Sequence, residues 1–429
     1  MRRKGFPVPP SDHVLTTGQT LPLAIEKPAA GGRMIARVEG QIVLVGGAIP
    51  GERVQARIER IGKGVAFAET IAAVEPSPDR RAPVTDPACG GCLYAHIAYP
   101  RQLEIKSQVI ADAFARIGRV ALPSPVAVAG SSEEGYRMRA RLHVRGGRIG
   151  FFREGTHELC DARATRQLLP ASCDALDRLA AAIRAAGSHA IREVELSENV
   201  DATERVVHLE ASQPLEARVI DAIVSVGGLT PGPYVTDRLT IGGSSMSLRR
   251  HVLAFFQGNR YLLRDLVAHV VERVPLGGSV ADLYAGAGLF AVSAAVLRGA
   301  SVIAVEGDRL AAEDLQANAA AAGGQLTTAH QPVENFAAWL PRVMHRVSGA
   351  PAVETVIVDP PRTGMSREAL DGLLPLRASR IVYVSCDVAT LARDARRIVD
   401  GGYIVARADA FDLFPNTPHV ETVVVFDRI

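Results

Sequence analysis

The sequence predicts an α/β chain: a doubly wound parallel sheet in its C-terminal part, preceded by a small N-terminal all-β module and a middle α+β domain. Three observations carry this reading. From about residue 250 onward, short apolar runs (280–283, 302–305, 355–358, 381–384 and 422–426) alternate with helical stretches, the pattern of strands buried on both faces and joined by helices. Residues 17–76 instead show short alternating or apolar runs at 41–45, 54–61 and 65–74, broken by Gly-Gly, Pro-Gly-Glu and Gly-Lys-Gly turns. The length, 429 residues, accommodates two or three domains that each bury a core.

Taken in order, residues 1–16 are a tail. It is basic but has no apolar stretch behind it, so it does not read as a secretory signal. The closely spaced strands of 17–76 suit a compact barrel of the OB type, a common oligonucleotide-binding scaffold. Residues 77–123 hold a Pro-rich stretch ending in Cys89-Gly90-Gly91-Cys92. A helix over 102–117 follows, with Leu103, Ile110, Phe114 and Ile117 on one face, and 121–130 reads as a linker. The middle domain, 124–248, opens with a hairpin of 137–144 and 148–152 across Gly146-Gly147. It continues with an Ala-rich helix (171–186) and strands at 206–210 and 239–241. In 249–429, a helix over 261–274, with Asn259 available as its cap, leads into the Rossmann-like sheet.

Composition narrows the function. Hydrophobic residues are 48% and charged residues 22%, which excludes a disordered or fibrous chain. Five cysteines make no disulfide scaffold and point to a reducing, cytoplasmic setting. No apolar run reaches 18 residues, so no membrane span is expected. The net charge of +2 hides an asymmetry. Residues 1–150 carry 21 basic and 13 acidic side chains, net +8, and the remainder carries 27 and 33, net −6. A basic front suits an anionic partner; an Arg-rich composition, with only four Lys among the 48 basic residues, accounts for it equally well.

In doubly wound sheets the ligand sits beyond the carboxyl ends of the strands, and the candidate residues lie there. The first strand runs into Tyr284-Ala285-Gly286-Ala287-Gly288, where glycines allow a tight turn and close approach of a ligand. Glu306, at the end of the second strand, can accept both hydroxyls of a ribose. The third run ends in Asp359-Pro360-Pro361-Arg362, whose prolines stop the strand and hold the carboxylate at the cleft. The fourth delivers Cys386, and Glu421 precedes the last. A thiolate with two carboxylates suits one difficult reaction, methylation of uracil at C5: Cys386 adds to C6, C5 attacks a sulfonium methyl, and Glu421 removes the C5 proton. Asp359 can orient the ring through N3–H.

In these residues the chain resembles the RNA uracil-5-methyltransferases, particularly their ribosomal-RNA branch. GGRMIARVEGQIVLVGGAIPGERVQARI resembles the TRAM domain, an OB-like RNA-binding module, and EGYRMRARLHV a stretch of the middle domain. Phe256-Gln257-Gly258-Asn259, DLYAGAG, VEG, DPPRTG, VSCD and HVET together resemble the catalytic methyltransferase domain. The resemblance implies S-adenosylmethionine as cofactor, with Gln257, Tyr284, Gly286, Gly288, Glu306 and Asp359 around it, Cys386 as nucleophile and Glu421 as base. It implies RNA as partner, ribosomal rather than transfer RNA, with no membrane and a monomer by default. CGGC resembles the family's iron–sulfur segment. Cluster-bearing members use four cysteines, whereas here the first position falls near Pro83 and the last near Thr165. Cys89 and Cys92 therefore read either as metal ligands of a residual [4Fe–4S] cluster or as two thiols in a Gly-Gly turn. Two other functions remain in view. An NAD-dependent oxidoreductase fits GAGLFA with Glu306 but leaves Asp359 and Cys386 unexplained. A non-catalytic RNA-binding protein fits only the basic front.

Overall fold

A computed structural model of the chain describes residues 15–187, 189–225, 227–335 and 353–429. Most of the predicted tail, 1–14, lies outside the described residues. The contacts separate two units, one running to Ala82 and including His96–Ala98, the other formed by Pro83–Ala95 and Tyr99–Ile429.

The first unit is a six-stranded sheet of β1 (Thr20–Ala24), β2 (Lys27–Pro28), β3 (Met34–Val38), β4 (Gln41–Gly46), β5 (Arg53–Gly62) and β6 (Val65–Glu75). Their spatial order is β1-β5-β6-β4-β3-β2, antiparallel except for the β4–β6 pair. Period-two burial explains the alternating sequence: Val54, Ala56 and Ile58 of β5 are buried, as are Ala66 and Ala68 of β6 and Val43 and Val45 of β4. Glu39 and Gly40 turn β3 into β4 with φ of 49° and 87°, the left-handed pair that a two-residue hairpin turn requires. Arg33 and Arg60 lie over the Phe67 ring, at 5.8 and 3.8 Å from its centroid.

In the second unit, strand β7 (Ala127–Ala129) is followed by β8 (Arg139–Arg145), β9 (Arg148–Phe152), β10 (Leu159–Asp161), β11 (Ile191–Glu198) and β12 (Arg205–Ala211). The last five form an antiparallel sheet in the order β10-β9-β8-β11-β12. Helix Pro170–Ala185 shares a core with it: Leu176, Leu179 and Ile183 cluster with Leu142, Val194 and Leu196. A hairpin of β13 (Tyr234–Ile241) and β14 (Ser244–His251) follows. A buried ionic cluster ties the middle sheet to the approach of the C-terminal sheet. Glu198 on β11 takes Arg205 and Arg260, and Arg250 pairs with Asp237 at 2.6 Å, both side chains fully buried. Removing one partner of such a pair strands the other charge, a loss of about 3–5 kcal/mol.

The C-terminal sheet is built from β15 (Ser279–Leu283), β16 (Ser301–Glu306), β17 (Leu326–His330), β18 (Thr355–Val358), β19 (Arg380–Ser385), β20 (Tyr403–Phe411) and β21 (Glu421–Arg428). Its order is β17-β16-β15-β18-β19-β21-β20-β7. Strands β15 to β19 pair in parallel, as the apolar runs predict. The predicted linker 121–130 is corrected: its Ala127–Ala129 is the edge strand β7, paired with Asp409–Phe411. The last strand also departs from a wholly parallel sheet, since β21 runs antiparallel to β19 and β20. That reversal matters for function, because it brings the first residue of β21, Glu421, to the rim where the parallel strands end. The helix expected over 102–117 spans Tyr99–Ala113 and continues in a π turn, Phe114–Gly118. Its buried face holds Gln102, Ile105, Lys106 and Ile110, while Ile117 is half exposed. Among the described residues no helix is long and apolar enough to cross a membrane.

Candidate active site

Backbone geometry at the end of β15 builds the first part of the site. Tyr284 takes a left-handed conformation (φ 61°) and Gly286 and Gly288 follow with φ of 56° and 93°, conformations open to glycine but strained for tyrosine. At Gly288 a Cβ would stand 2.9 Å from Leu315 Cδ1, so a side chain here must displace that leucine and adopt a strained left-handed backbone. The Gly286 N–H donates to Glu306 Oε2 and the Asp308 N–H to Glu306 Oε1, each at 2.7 Å. Glu306 is thereby fixed at the end of β16, and each oxygen retains acceptor capacity for a ligand.

The second part lies at the ends of β18, β19 and β21. Gln257 Nε2 donates to Asp359 Oδ2 at 3.1 Å. Ser385 on β19 pairs with Thr422 on β21, so the next residues outward, Cys386 and Glu421, face each other across adjacent strands. Asp387 caps helix Val388–Asp400, its carboxylate accepting the N–H groups of Ala389 and Thr390. The cysteine therefore stands one residue before a helix N-terminus. Arg362, not among the candidate residues predicted from the sequence, lies beside the Cys386 thiol and near Glu421. Nothing local marks a loop arginine as functional; only its place after Pro361 hints at it. Asp282, buried in β15, is the other acid absent from the predicted set. A cavity of about 500 Å³ opens alongside, lined by Tyr284, Pro361, Met365, Arg393 and Asp394 among others.

Crowded acids dominate the electrostatics. Burial, and then the neighbouring Glu306, raise the Asp359 pKa to about 7, against the hydrogen bond from Gln257. Burial, and then Asp359, hold Asp282 well above the usual carboxylate range. Burial and Asp359 raise Glu421 in the same way, with Arg362 opposing. The Cys386 thiol is pushed up to about 12 by burial, Glu421 and Asp359, and Arg362 again opposes. Such a rim favours a cation, because a positive charge among these groups relieves the repulsion between them. A sulfonium fits that donor set, with Glu306 placed to take a ribose. The structure thus brings Gln257, Glu306, Asp359, Cys386 and Glu421 to one rim, with Tyr284, Gly286 and Gly288 in the turn beside Glu306.

The cysteine-rich segment is different. Cys89 forms a disulfide with Cys160 on β10, which corrects the reading of Cys89 and Cys92 as a pair of metal ligands. Cys92 and Cys173 are free, buried thiols, raised chiefly by burial. Among the described residues no three His, Cys, Asp or Glu side chains gather as a metal site. Pro83 and Thr165 offer no thiolate, so these residues do not fit a four-thiolate cluster.

A family model described as tRNA (Uracil-5-)-methyltransferase matches residues 202–429, and a TRAM domain model matches residues 14–71. The chain is 32% identical over 442 residues to a 23S rRNA (uracil(1939)-C(5))-methyltransferase RlmD of Halomonas elongata, covering 95% of this chain and 89% of that protein. It is 31% identical over 432 residues to an uncharacterized RNA methyltransferase of Corynebacterium efficiens, with 96% of each covered. A solved structure, the Pyrococcus abyssi tRNA (uracil-54, C5)-methyltransferase in complex with S-adenosyl-L-homocysteine, matches with a TM-score of 0.72 at 24% identity. The match covers 94% of this chain and 99% of that one, and is a likeness of fold.

Proposed function

We infer the reaction from the family: this chain belongs to the S-adenosylmethionine-dependent RNA uracil-C5 methyltransferases. We propose that it acts on a uridine of ribosomal RNA and does so through a covalent adduct at Cys386. The observation that carries the mechanism is the placement of Cys386, just beyond the end of β19, opposite Glu421 at the start of β21, next to the Ser385–Thr422 pair, with Asp359 and Arg362 beside them.

Arg362 favours the thiolate of Cys386 against the burial and the two carboxylates that disfavour it. The thiolate sulfur forms a bond to C6 of the uracil, and the electrons of the C5–C6 double bond move onto the C4 carbonyl. Asp359, held by Gln257, accepts N3–H and fixes the ring. S-adenosylmethionine supplies the electrophilic methyl group, which C5 takes as its bond to sulfur breaks. Glu421 then removes the C5 proton; its raised pKa makes its carboxylate a stronger base than an exposed glutamate. The electrons of that C–H bond re-form the C5–C6 double bond as the bond from Cys386 to C6 breaks and the thiolate leaves.

Ribosomal RNA is favoured by the Halomonas elongata relative, named for a 23S uridine and aligned over nearly the whole of both chains. The alternative is a transfer-RNA uridine methylated by the same steps. The reading places the enzyme in the cytoplasm with its RNA, and every catalytic group it uses comes from one chain. Incubation of the protein and S-adenosylmethionine with transcripts of 23S ribosomal RNA and of transfer RNA, followed by mapping of 5-methyluridine, tests it. Methylation of the ribosomal transcript supports the proposal; methylation confined to transfer RNA replaces it with the alternative.

A further inference from the structure

The nine-residue connection 412–420 joins β20 to β21 and ends at Glu421. Connections normally run over the surface, because buried backbone must find internal partners. In this one Asp412, Leu413, Pro415, Asn416 and Thr417 are buried, and the partners come from far away in the chain. Lys106, 1% exposed, donates to Asp412 Oδ1 at 2.5 Å and to the Phe414 carbonyl at 3.2 Å. Gln102, one helical turn earlier on the same face, donates to Asn416 Oδ1 and accepts the Asn416 N–H, both at 2.9 Å. The Tyr94 N–H donates to the Asn416 carbonyl at 2.8 Å. Asn416 itself is left-handed, at φ 63°, a conformation asparagine tolerates better than most residues. From the other side Asn259, two residues after Gln257, donates to the Leu413 carbonyl at 3.1 Å.

A buried lysine–aspartate pair is a poor device for stability alone, since desolvation of both charges offsets their attraction and an apolar pair of similar volume does as well. What it supplies is direction: the ammonium holds one carboxylate and one carbonyl at fixed points, nine and seven residues before Glu421 in the stretch that delivers it. We propose that Lys106 and Gln102 are positioning residues for the proton-abstracting Glu421, acting through the 412–420 connection. The inference rests on the assignment of Glu421 as base given above. Both side chains are buried, Gln102 at 0% and Lys106 at 1% exposure, and reach the site only through this connection. Their effect falls on the step that needs Glu421, removal of the C5 proton, and not on addition of Cys386 or methyl transfer. Displacements near 1 Å at a reacting group can lower rates about a hundredfold.

The test uses the full-length enzyme carrying Lys106→Met with Asp412→Asn, a neutral pair that leaves no stranded charge, and separately Gln102→Leu. Each is measured for S-adenosylmethionine binding, steady-state turnover and the fraction of enzyme held as a denaturant-stable RNA adduct during turnover, with Glu421→Gln alongside. Expected are unchanged cofactor binding, turnover reduced roughly tenfold or more, and an adduct fraction raised above wild type in both variants. Turnover within twofold of wild type, or lost turnover without adduct build-up, overturns the proposal, because a merely structural defect slows all steps together. Adduct build-up in Glu421→Gln but in neither variant also removes Lys106 and Gln102 from the role, leaving the base assignment standing. If Glu421→Gln builds up no adduct, the base assignment itself falls, and the inference with it. Should the neutral pair fail to fold, Gln102→Leu, which removes no charge, decides alone.

Discussion

Asp359 should make cofactor binding depend on pH. Its pKa of about 7 in the free protein arises from burial and from Glu306, so the carboxyl is largely protonated at pH 6 and ionised at pH 8. A sulfonium cation at this rim favours the ionised form. If only that form binds, the competent fraction is about 9% at pH 6 and about 91% at pH 8, and the apparent Kd for S-adenosylmethionine is about tenfold weaker at pH 6, or about 1.4 kcal/mol. Binding at pH 6 should release close to one proton, and at pH 8 about a tenth of one. Calorimetry in two buffers of different ionisation enthalpy measures both quantities. S-adenosylhomocysteine, which lacks the positive charge, should show a weaker pH dependence, and Asp359→Asn should flatten it. A Kd constant between pH 6 and 8, or a dependence that survives in Asp359→Asn, refutes the argument. The same shift has a consequence for stability. The folded-state pKa lies above the unfolded value near 4, so the folded protein binds the extra proton between these limits. This contribution favours folding at low pH and is lost as pH rises from about 4 through about 7.

Cys386→Ala should abolish methylation while leaving cofactor affinity within about twofold, since the thiol adds to the base and not to the sulfonium; retained activity removes it from the mechanism. Thiol titration of unfolded, unreduced protein should find three free cysteines of the five, Cys92, Cys173 and Cys386, with iron absent. Four iron atoms per chain would restore the cluster reading. Cys160→Ser should lower the melting temperature, because the Cys89–Cys160 link closes 71 residues, a constraint on the unfolded chain of about 4 kcal/mol. Gly288→Ala should destabilise the protein by about 1–3 kcal/mol and weaken cofactor binding, as its Cβ would meet Leu315 at 2.9 Å in a left-handed turn; melting curves and titration check both.

The candidate rim was legible because central parallel strands must be apolar on both faces. Each run that ends abruptly in Gly, Glu, Asp-Pro-Pro or Cys therefore announces a strand end. What escaped lies where that constraint relaxes. Strands β17 and β7 are edges, and β20 pairs with the three-residue β7. Leu326–His330 is partly exposed along its whole length, and Tyr403–Phe411 carries Arg407 and Asp409. The direction of β21 has no local signature either, although it decides where Glu421 stands. The polar face of Tyr99–Ala113 breaks the apolar stripe that sequence periodicity relies on, because Gln102 and Lys106 are buried against partners more than 300 residues away. The Cys89–Cys160 pairing is silent for the same reason: spacing marks Cys89 with Cys92, and only the three-dimensional approach of β10 selects Cys160.

The most direct test of the central claim is to incubate the protein with S-adenosylmethionine and ribosomal RNA carrying 5-fluorouridine, whose C5 fluorine cannot be removed as a proton. Mass spectrometry of the denatured, digested complex should find the methylated base covalently linked to the peptide containing Cys386. Methyl transfer to ordinary uridine with no such linkage, or linkage at another residue, would contradict the account.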